Sequence, residues 1–324
     1  MKDAIHIVVA TDQNYWHLTA VMLLSLASHH RSKEKLVCHV ITSGLTDRQK
    51  HSFIEFFHSK GVTIDWLSVD PAAFKDFPVV DYFTPATYYR VEIPQLLSPA
   101  IRKVIYLDAD ILLLDDISKL WHTDIKGLPI AAVENFHSFH KEFVGIPAEA
   151  KFFNGGVLLI DLDYWRRHNV SDQLKRIIVT QKEKMIYCDQ EALNLLFYDK
   201  CFFLPPKWNY SPGHEDVIEL FELYDRRPEF KEAVQKPSLV HFLGFYKPDN
   251  PEDFSVFADK YRSYFRKIPF VRERFVPLSL DQRKRKFLYQ LDRILTPYWL
   301  KRKRLQSNPE QQRIYWPGLP DWYW

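Results

Sequence analysis

Short β-rich runs alternate with helical segments through the first seventy residues, and few folds accommodate that alternation. Strand-like runs occupy residues 5–10, 36–44 and 62–69, while segments 17–30 and 46–60 carry apolar residues at helical spacing. Further strand candidates are KVIYL (103–107), IAAVE (130–134), GGVLLID (155–161) and SLVHFLG (238–244). We therefore predict an α/β fold in which a single mixed, mostly parallel central sheet is flanked by helices on both faces.

Polar residues follow three of the predicted strands. Asp12 comes after the first strand, Asp108 and Asp110 follow KVIYL, and His241 and Gly244 lie near the end of the last strand. In open sheets of this type, ligands bind beyond the carboxyl ends of the strands. These positions are therefore the first candidates for a functional site.

The sequence contains two Asp-X-Asp pairs after apolar runs, Asp108/Asp110 and Asp161/Asp163. Two carboxylates at the turn leaving a strand can converge on one point, and a hard divalent cation is the usual reason for them to do so. The second pair leads directly into YWRRH, so a helix N-cap and a first-turn acid explain it. Spacing alone does not separate the two pairs, but the first runs back into an apolar stretch where capping explains less.

Composition narrows the cellular setting. The longest apolar runs fall well short of the roughly 20 residues that a membrane-spanning helix requires, and the N-terminus lacks the features of a signal peptide. Cys38, Cys188 and Cys201 are odd in number and form no C-x-x-C pair, which favours reduced thiols over a disulfide frame or a zinc site. We therefore expect a cytoplasmic protein.

The positive charge is concentrated near the C-terminus. Residues 262–304 hold 14 Lys/Arg against 3 Asp/Glu, whereas the preceding 261 residues are mildly acidic. The predicted helix in this region has Phe287, Leu288, Leu291, Ile294 and Leu295 on one face. A basic amphipathic helix of this kind suits an anionic membrane surface; the alternative is a helix docked on the body with a solvated charged face. Nucleic acid is not expected as a partner, because no base-stacking platform accompanies the basic residues.

Six motifs occur in a fixed order along the chain. They are IVVATDQNY (7–15), TYYR (87–90), KVIYLDADILLL (103–114), FFNGGVLLIDL (152–162), YCDQEALNLLF (187–197) and HFLGFYKP (241–248). In this order they resemble the family-eight glycosyltransferases, and the chain is most similar to bacterial lipopolysaccharide galactosyl- and glucosyltransferases. The resemblance covers roughly residues 5–265 and implies the Rossmann-like GT-A fold. From the composition we place this domain at residues 1–268, followed by a basic, aromatic tail over 269–324. It also implies transfer of a hexose from a nucleotide sugar with retention of anomeric configuration.

The resemblance further assigns a metal site and a nucleotide site. Asp108, Asp110 and His241 would bind Mn²⁺, with Mg²⁺ as the alternative; by itself, His241 would be read as a core histidine. The residues implied at the UDP moiety are Ala10, Thr11, Asp12, Asn14, Tyr15, Arg90, Ala109, Gly244 and Lys247. Tyr15 would stack on uracil and Lys247 would meet the diphosphate, although a surface tyrosine and a solvated lysine explain them equally well without the resemblance.

The donor sugar and the acceptor would lie against a second group of residues. This group comprises Thr87, Glu134, Asn154, Gly155, Asp189 and Gln190, of which Asp189 and Gln190 are the catalytic candidates. Structural alternatives exist: Arg90 pairing near Glu92, a bulge at Gly155-Gly156, and a helix cap at Asp189. Because a neutral amide such as Gln190 is a poor nucleophile, we expect the acceptor hydroxyl to enter on the face from which UDP departs.

Two departures from the family pattern bear on specificity. Glu134 stands where relatives often have Asp, and Asp249 and Asn250 follow Lys247-Pro248 where relatives usually have an aromatic residue. We predict a metal-dependent retaining transferase that moves galactose or glucose from UDP to a lipid-linked or cell-surface glycan such as lipopolysaccharide, at the inner face of the membrane. The alternatives are a catalytically silent UDP-sugar-binding scaffold, a nucleotide-sugar hydrolase and a protein-directed transferase with the same donor site.

Overall fold

The computed structural model describes residues 4–79, 83–136, 138, 140–212, 227–243, 247–250, 253, 255–274 and 276–295. The strands are β1 (Ala4–Thr11), β2 (Lys35–Thr42), β3 (Val62–Ser68), β4 (Lys103–Leu107), β5 (Ile111–Leu113), β6 (Ile130–Glu134), β7 (Phe153–Asp161), β8 (Cys201–Leu204) and β9 (Leu239–His241). The longer helices are α1 (Trp16–His29), α2 (Asp47–His58), α7 (Val170–Thr180), α8 (Asp189–Phe197), α9 (Pro228–Gln235), α10 (Val256–Phe265) and α11 (Leu280–Leu295). Four short helices complete the α series: α3 (Ile93–Leu96), α4 (Ser118–Trp121), α5 (Lys141–Val144) and α6 (Leu162–Arg167).

Seven of these strands form a mixed sheet in the order β3-β2-β1-β4-β7-β6-β8. The first four are parallel, β7 runs antiparallel to both β4 and β6, and β6 is parallel to β8. The predicted α/β fold with one mixed central sheet is confirmed. Because β1 and β4 are parallel neighbours, the residues that follow them meet at one edge of the sheet.

Strands β5 and β9 form a separate two-stranded antiparallel sheet, in which Ile111 lies opposite His241. The sequence predicted the β9 segment as a further strand but did not single out Ile111–Leu113, the apolar run that follows the first Asp-X-Asp pair. This small sheet brings residue 241 next to residue 110 across about 130 positions of sequence.

Apolar residues cover both faces of the central sheet. Along β1, Ile5, Ile7 and Val9 belong to one hydrophobic cluster, whereas Val8 and Ala10 belong to the other. Such a strand reads as a continuous apolar run, as expected for a parallel sheet covered on both sides. All three cysteines are free and buried, in agreement with the expected reduced thiols.

Local signals in the sequence determine two of the helix starts. Thr46 accepts a hydrogen bond from the backbone N–H of Gln49, and the Gln49 side chain returns to the backbone N–H of Thr46, which is the capping box that their spacing predicts. Asp161 accepts from the backbone N–H of Tyr164 and caps α6, and Asp163 lies in the first turn of that helix. The second Asp-X-Asp pair therefore has the structural role inferred from its context.

The C-terminal part of the described chain stays in contact with the body. Phe270 stacks on Trp16, and Lys286 of α11 donates to Asp259 of α10 at 2.5 Å. The boundary predicted at residue 268 stays a prediction, and residues 296–324 lie outside the described residues. Among the helices that the structure describes, none has both the length and the hydropathy needed to cross a bilayer.

Candidate active site

The turn after β4 places the first Asp-X-Asp pair at the edge where strands β1 and β4 end. The backbone N–H of Asp108 donates to the carbonyl oxygen of Gly156 on β7 at 2.8 Å, and the backbone N–H of Phe242 donates to the carbonyl oxygen of Asp110 at 3.2 Å. Each aspartate is thus held through its backbone by a different neighbouring segment. The two side chains converge although they are only two residues apart.

His241 completes a cluster with these two carboxylates. Its Nε2 atom lies 3.2 Å from Oδ1 of Asp110 and 3.6 Å from Oδ2 of Asp108. One possible ligand atom from each of the three residues falls within 4.8 Å of the others, and His241 and Asp110 are only 2% and 8% exposed. Two carboxylate oxygens and one imidazole nitrogen form a donor set that fits Mn²⁺.

Lys247 lies against the same cluster. Its Nζ atom donates to Oδ2 of Asp110 at 2.5 Å and to the carbonyl oxygen of Phe242 at 3.2 Å. Burial by itself would raise the pKa of Asp110, but the positive charge of Lys247 and the contact with His241 outweigh it and hold that pKa well below its usual value. The cluster therefore carries concentrated negative charge that attracts cations.

Gly156 provides the space in which the cluster forms. A Cβ atom at this position would lie 2.1 Å from Cε1 of His241 and 2.8 Å from Oδ2 of Asp108, so any larger residue would displace a candidate ligand. From the sequence, Gly156 is expected only as part of a bulge and is not among the predicted site residues. A glycine in the interior of a strand was the available signal, since it often marks a close approach.

Arg90 and Asp189 form a buried ion pair beside the cluster. Arg90 donates from Nε and Nη2 to the two oxygens of Asp189 at 2.5 and 2.7 Å, and from Nη1 to the carbonyl oxygen of Gly155 at 2.5 Å. Burial would lower the pKa of Arg90, but Asp189 offsets this and the pKa lies well above its ordinary value. The alternative pairing of Arg90 near Glu92 is wrong, because Glu92 pairs with Lys175.

Tyr106 links this ion pair to the cluster of candidate metal ligands. Its hydroxyl donates to Oδ1 of Asp108 at 2.8 Å, and the Arg90 guanidinium lies over its ring at 4.8 Å. From the sequence, Tyr106 is expected inside a core strand and is not among the predicted site residues. Its phenol now orients one carboxylate of the cluster.

Gln190 and its neighbours occupy the start of α8. Cys188, with a φ of 62°, is the N-cap residue and Asp189 is the first helical residue, so the alternative that the Asp189 side chain caps this helix is wrong. Oε1 of Gln190 accepts a hydrogen bond from the backbone N–H of Gly155 at 2.9 Å. The amide oxygen, the only plausible nucleophilic atom of this side chain, therefore already accepts one hydrogen bond.

The turn after β1 lies at the same edge of the sheet. Oδ1 of Asp12 accepts from the backbone N–H groups of Asn14 and Tyr15 at 2.8 and 3.1 Å, which shapes the entry to α1. The hydroxyl of Thr11 is buried and accepts from Thr19, so this side chain is directed into the fold. Burial is the main cause of a raised pKa at the half-buried Tyr15, and the charge of Lys247 acts in the opposite direction.

The remaining predicted site residues have varied environments. Ala10 and Ala109 are buried, and Thr87 is half-buried in the 3-10 helix Pro85–Glu92. Glu134 at the end of β6 pairs with Lys151 at 3.0 Å and with Arg227 at 3.3 Å. Gly244 lies outside the described residues.

Asn209 contacts two of the predicted site residues. Its Oδ1 atom lies 2.9 Å from Nδ1 of His241, and its Nδ2 atom donates to Oδ1 of Asn154 at 2.8 Å. Asn209 is not among the residues predicted from the sequence, because nothing local marks it as adjacent to residues 32 and 55 positions away.

Comparison with known proteins identifies the family to which the chain belongs. The family model "Glycosyl transferase family 8" matches residues 6–250. The chain belongs to glycosyl transferase family 8. This membership identifies a glycosyltransferase and confirms the family resemblance inferred from the six motifs.

Individual relatives agree with that membership. This family 8 glycosyltransferase is 32% identical over 269 residues to general stress protein A of Bacillus subtilis, a match that covers 81% of this chain and 94% of the relative. It is 23% identical over 253 residues to lipopolysaccharide 1,2-glucosyltransferase of Escherichia coli, covering 76% of this chain and 73% of that protein.

A solved structure extends the likeness to the fold. The galactosyltransferase LgtC, solved in complex with donor and acceptor sugar analogues, superposes with a TM-score of 0.73 at 24% identity, covering 86% of this chain and 99% of LgtC. At that identity the likeness establishes the fold, and the predicted GT-A architecture is confirmed.

Proposed function

We propose that this family 8 glycosyltransferase moves galactose or glucose from a UDP carrier to a saccharide acceptor, with retention of anomeric configuration and with Mn²⁺, or alternatively Mg²⁺, as its cofactor. The observation that carries the proposal is the convergence of Asp108, Asp110 and His241 at the edge of the sheet where strands β1 and β4 end. When bound there, the cation would neutralise the charge of a diphosphate and so favour the departure of UDP.

The protein's own side chains support this donor site. Lys247 lies within reach of the cluster and supplies a positive charge that suits a diphosphate oxygen once a metal ion satisfies Asp110. Arg90 fixes the carboxylate of Asp189 through two hydrogen bonds, and this buried ion pair would form a rigid support behind the pocket for the hexose. Such preorganised groups hold the sugar without reorganisation during transfer.

The environment of Gln190 favours entry of the acceptor on the face from which UDP leaves. A double displacement would need a nucleophile behind the sugar. Gln190 is a neutral amide whose oxygen accepts from Gly155, and Asp189 is held by Arg90. A trapped glycosyl adduct on Asp189 or Gln190 would contradict front-face transfer.

We further propose that the acceptor is a lipid-linked or cell-surface glycan of the lipopolysaccharide type. The name of the Escherichia coli relative supports this class of acceptor. Asp249, at the position where relatives usually have an aromatic residue, contacts His17 at 3.0 Å, which gives the predicted acceptor side a polar character that suits sugar hydroxyls. A protein-directed transferase and a catalytically silent scaffold are the competing functions.

We also propose that the enzyme is cytoplasmic and that helix α11 attaches it to the inner face of the membrane. Phe287 and Leu288 are 63% and 53% exposed, and Arg283 and Lys284 on the same helix are exposed as well. Exposed apolar residues beside basic residues favour binding to an anionic bilayer surface.

The decisive experiment is a donor panel that follows UDP release from UDP-galactose, UDP-glucose and other nucleotide sugars, with Mn²⁺ or with EDTA, and with or without glycan acceptors. We expect one UDP-hexose to be used, and EDTA to abolish its turnover. Release that is undiminished in EDTA would contradict the metal-dependent mechanism. Binding of UDP-sugar without turnover on any glycan or protein acceptor would favour the scaffold.

A further inference from the structure

Asn209 lies in a chain of hydrogen bonds that joins the metal cluster to strand β7. Nδ1 of His241 contacts Oδ1 of Asn209 at 2.9 Å, and Nδ2 of Asn209 donates to Oδ1 of Asn154 at 2.8 Å. The same Asn154 oxygen accepts from the backbone N–H of Gly156 at 2.8 Å. Hydrogen bonds thus connect Gly156 on β7 through Asn154 and Asn209 to the imidazole ring of His241.

The donor and acceptor roles in this series of hydrogen bonds are fixed at one end by the backbone N–H of Gly156. The backbone N–H of Gly156 can only donate, so the amide of Asn154 must turn its oxygen towards it. That oxygen can then only accept a second bond, so Asn209 must present its NH₂ group to Asn154 and its oxygen to His241. Because an amide oxygen cannot donate, Nδ1 of His241 must carry the proton.

The proton on Nδ1 determines which nitrogen is available to a metal ion. In a neutral imidazole protonated at Nδ1, the lone pair is on Nε2. Nε2 is the atom that faces Asp110 at 3.2 Å and Asp108 at 3.6 Å. The opposite tautomer would set the lone pairs of Nδ1 and the Asn209 oxygen against each other at 2.9 Å.

The backbone keeps Asn209 beside the ring. The backbone N–H of Tyr210 donates to the carbonyl oxygen of Leu239 at 3.1 Å, and the backbone N–H of His241 donates to the carbonyl oxygen of Tyr210 at 2.8 Å. Trp208 and Tyr210, the two neighbours of Asn209, are buried in the core. Asn209 is therefore fixed to β9, the same strand that carries His241.

We propose that Asn209 is a positioning residue with two effects: it holds His241 in the tautomer that binds a cation through Nε2, and it orients the amide of Asn154, the residue predicted to face the donor sugar. Outer partners of this kind commonly contribute about 10-fold to 100-fold to metal affinity. The role rests on the proposed function in one respect, that the cluster binds a divalent cation.

The two effects can be separated by two substitutions of Asn209. In Asn209→Leu, neither the acceptor for His241 nor the donor to Asn154 remains. In Asn209→Asp, the carboxylate still accepts from Nδ1 of His241 but cannot donate to Asn154. Asn169→Asp is the matched control, because Asn169 is exposed and its φ of 48° is one that Asp tolerates.

Mn²⁺ affinity, measured without nucleotide by electron paramagnetic resonance, should fall by about 10-fold to 100-fold in Asn209→Leu and stay within about 3-fold of wild type in Asn209→Asp. UDP-hexose affinity at saturating Mn²⁺ should fall about 10-fold in Asn209→Asp, because the Asn154 amide turns away. Asn169→Asp should match wild type in both measurements. The positioning role of Asn209 would be overturned if Asn209→Leu bound Mn²⁺ as tightly as the wild-type protein, or if both Asn209 variants lost Mn²⁺ affinity equally.

Nitrogen-15 NMR of the histidine rings tests the tautomer directly and needs no metal. At a pH where the ring is neutral, we expect His241, assigned by comparison with His241→Gln, to be protonated at Nδ1 in the wild-type protein and in Asn209→Asp. Protonation at Nε2 in the wild-type protein would overturn the inference. Failure of the wild-type protein to bind Mn²⁺ would instead contradict the proposed metal dependence, and the NMR result distinguishes the two failures.

Discussion

Gly156 allows two of the three candidate metal ligands to lie against strand β7. Only a hydrogen fits between its α-carbon and the ring of His241, since a Cβ atom would lie 2.1 Å from Cε1. Its carbonyl oxygen also accepts from Asp108, and its N–H anchors Asn154. Gly156 therefore acts on the candidate metal ligands and their neighbours in three ways: it leaves room for His241, its carbonyl oxygen holds Asp108, and its N–H holds Asn154.

Gly156→Ala should lower Mn²⁺ affinity by at least about tenfold, because the new methyl group displaces His241. Mn²⁺ titration followed by electron paramagnetic resonance measures this. Gly155→Ala is the matched control: its Cβ would approach the end of the Arg90 side chain at 3.2 Å and would not meet a ligand, so its effect on Mn²⁺ affinity should be smaller. Equal affinities for Gly156→Ala and wild type would contradict the packing argument.

Asp110→Asn should abolish UDP release, whereas Asp163→Asn should leave it within about twofold of wild type. Asp110 belongs to the cluster with His241, while Asp163 lies in the first turn of α6 and pairs with Arg102 on the surface. A UDP-release assay with Mn²⁺ compares the two variants. Equal losses would show that the wrong Asp-X-Asp pair had been assigned to the metal.

At the scale of secondary-structure elements, three neighbouring strands of the central sheet place polar side chains in contact with one another. His6 on β1, His39 on β2 and Asp65 on β3 form a ladder across the sheet, with Nδ1 of His6 2.9 Å from Nε2 of His39, and Nδ1 of His39 2.8 Å from Oδ2 of Asp65. The two rings stack at 5.2 Å between centroids. Parallel pairing of β1, β2 and β3 brings these three residues together.

The ladder should make stability depend on pH. Burial and the neighbouring His39 lower the pKa of His6 to about 4, and burial lowers that of His39 despite Asp65. Both groups bind protons more readily when unfolded, so the free energy of unfolding should rise as the pH increases from about 4 to about 6.5 and then level off. His6 should contribute about 1–2 kcal/mol to that rise.

Urea unfolding at about pH 5 and about pH 7.5 measures this dependence. His6→Gln should reduce the difference in the free energy of unfolding between the two pH values, whereas the control His58→Gln should not, because the His58 side chain is exposed to solvent. An unchanged difference in His6→Gln would show that other groups cause the pH dependence.

At the scale of the whole molecule, the described part of the C-terminal region contacts the body both before helix α11 and along it, and Val271 belongs to the main hydrophobic core. Phe270 packs against Trp16, and the buried Lys286 side chain reaches Asp259. The apolar face that the sequence predicted includes Phe287, which α11 leaves exposed. A docked helix would be expected to bury this face instead, so the arrangement supports the membrane proposal.

A chain ending at residue 278 should retain its fold and its turnover of soluble substrates within about twofold, but should lose binding to anionic vesicles. It keeps the contact of Phe270 with Trp16, which a truncation at 268 would remove. Cosedimentation with phosphatidylglycerol vesicles and circular dichroism measure the two properties.

Phe287→Asn combined with Leu288→Asn in the full-length chain keeps every basic residue and isolates the apolar contribution. This variant should bind vesicles more weakly than wild type at equal salt. Unfolding of the chain ending at 278 would favour a docked helix that stabilises the body.

The sequence alone determined the elements and the family. Alternating hydrophobic periods located most strands of the central sheet and the two longest helices of the first half, because these patterns arise from local geometry. The capping box at Thr46 and the cap at Asp161 were predictable for the same reason. The order of six motifs identified the family and named Asp108, Asp110 and His241 as one group.

Tertiary structure decided the contacts within the site. The pairing of β5 with β9, the space left by Gly156, the phenol of Tyr106 and the amide of Asn209 depend on segments that are distant in sequence. Local propensity carries no information about which distant side chain will face a given atom. Tertiary contacts also distinguish the two Asp-X-Asp pairs. Asp108 and Asp110 lie beside His241 from another strand, whereas Asp161 and Asp163 lie at the start of their own helix.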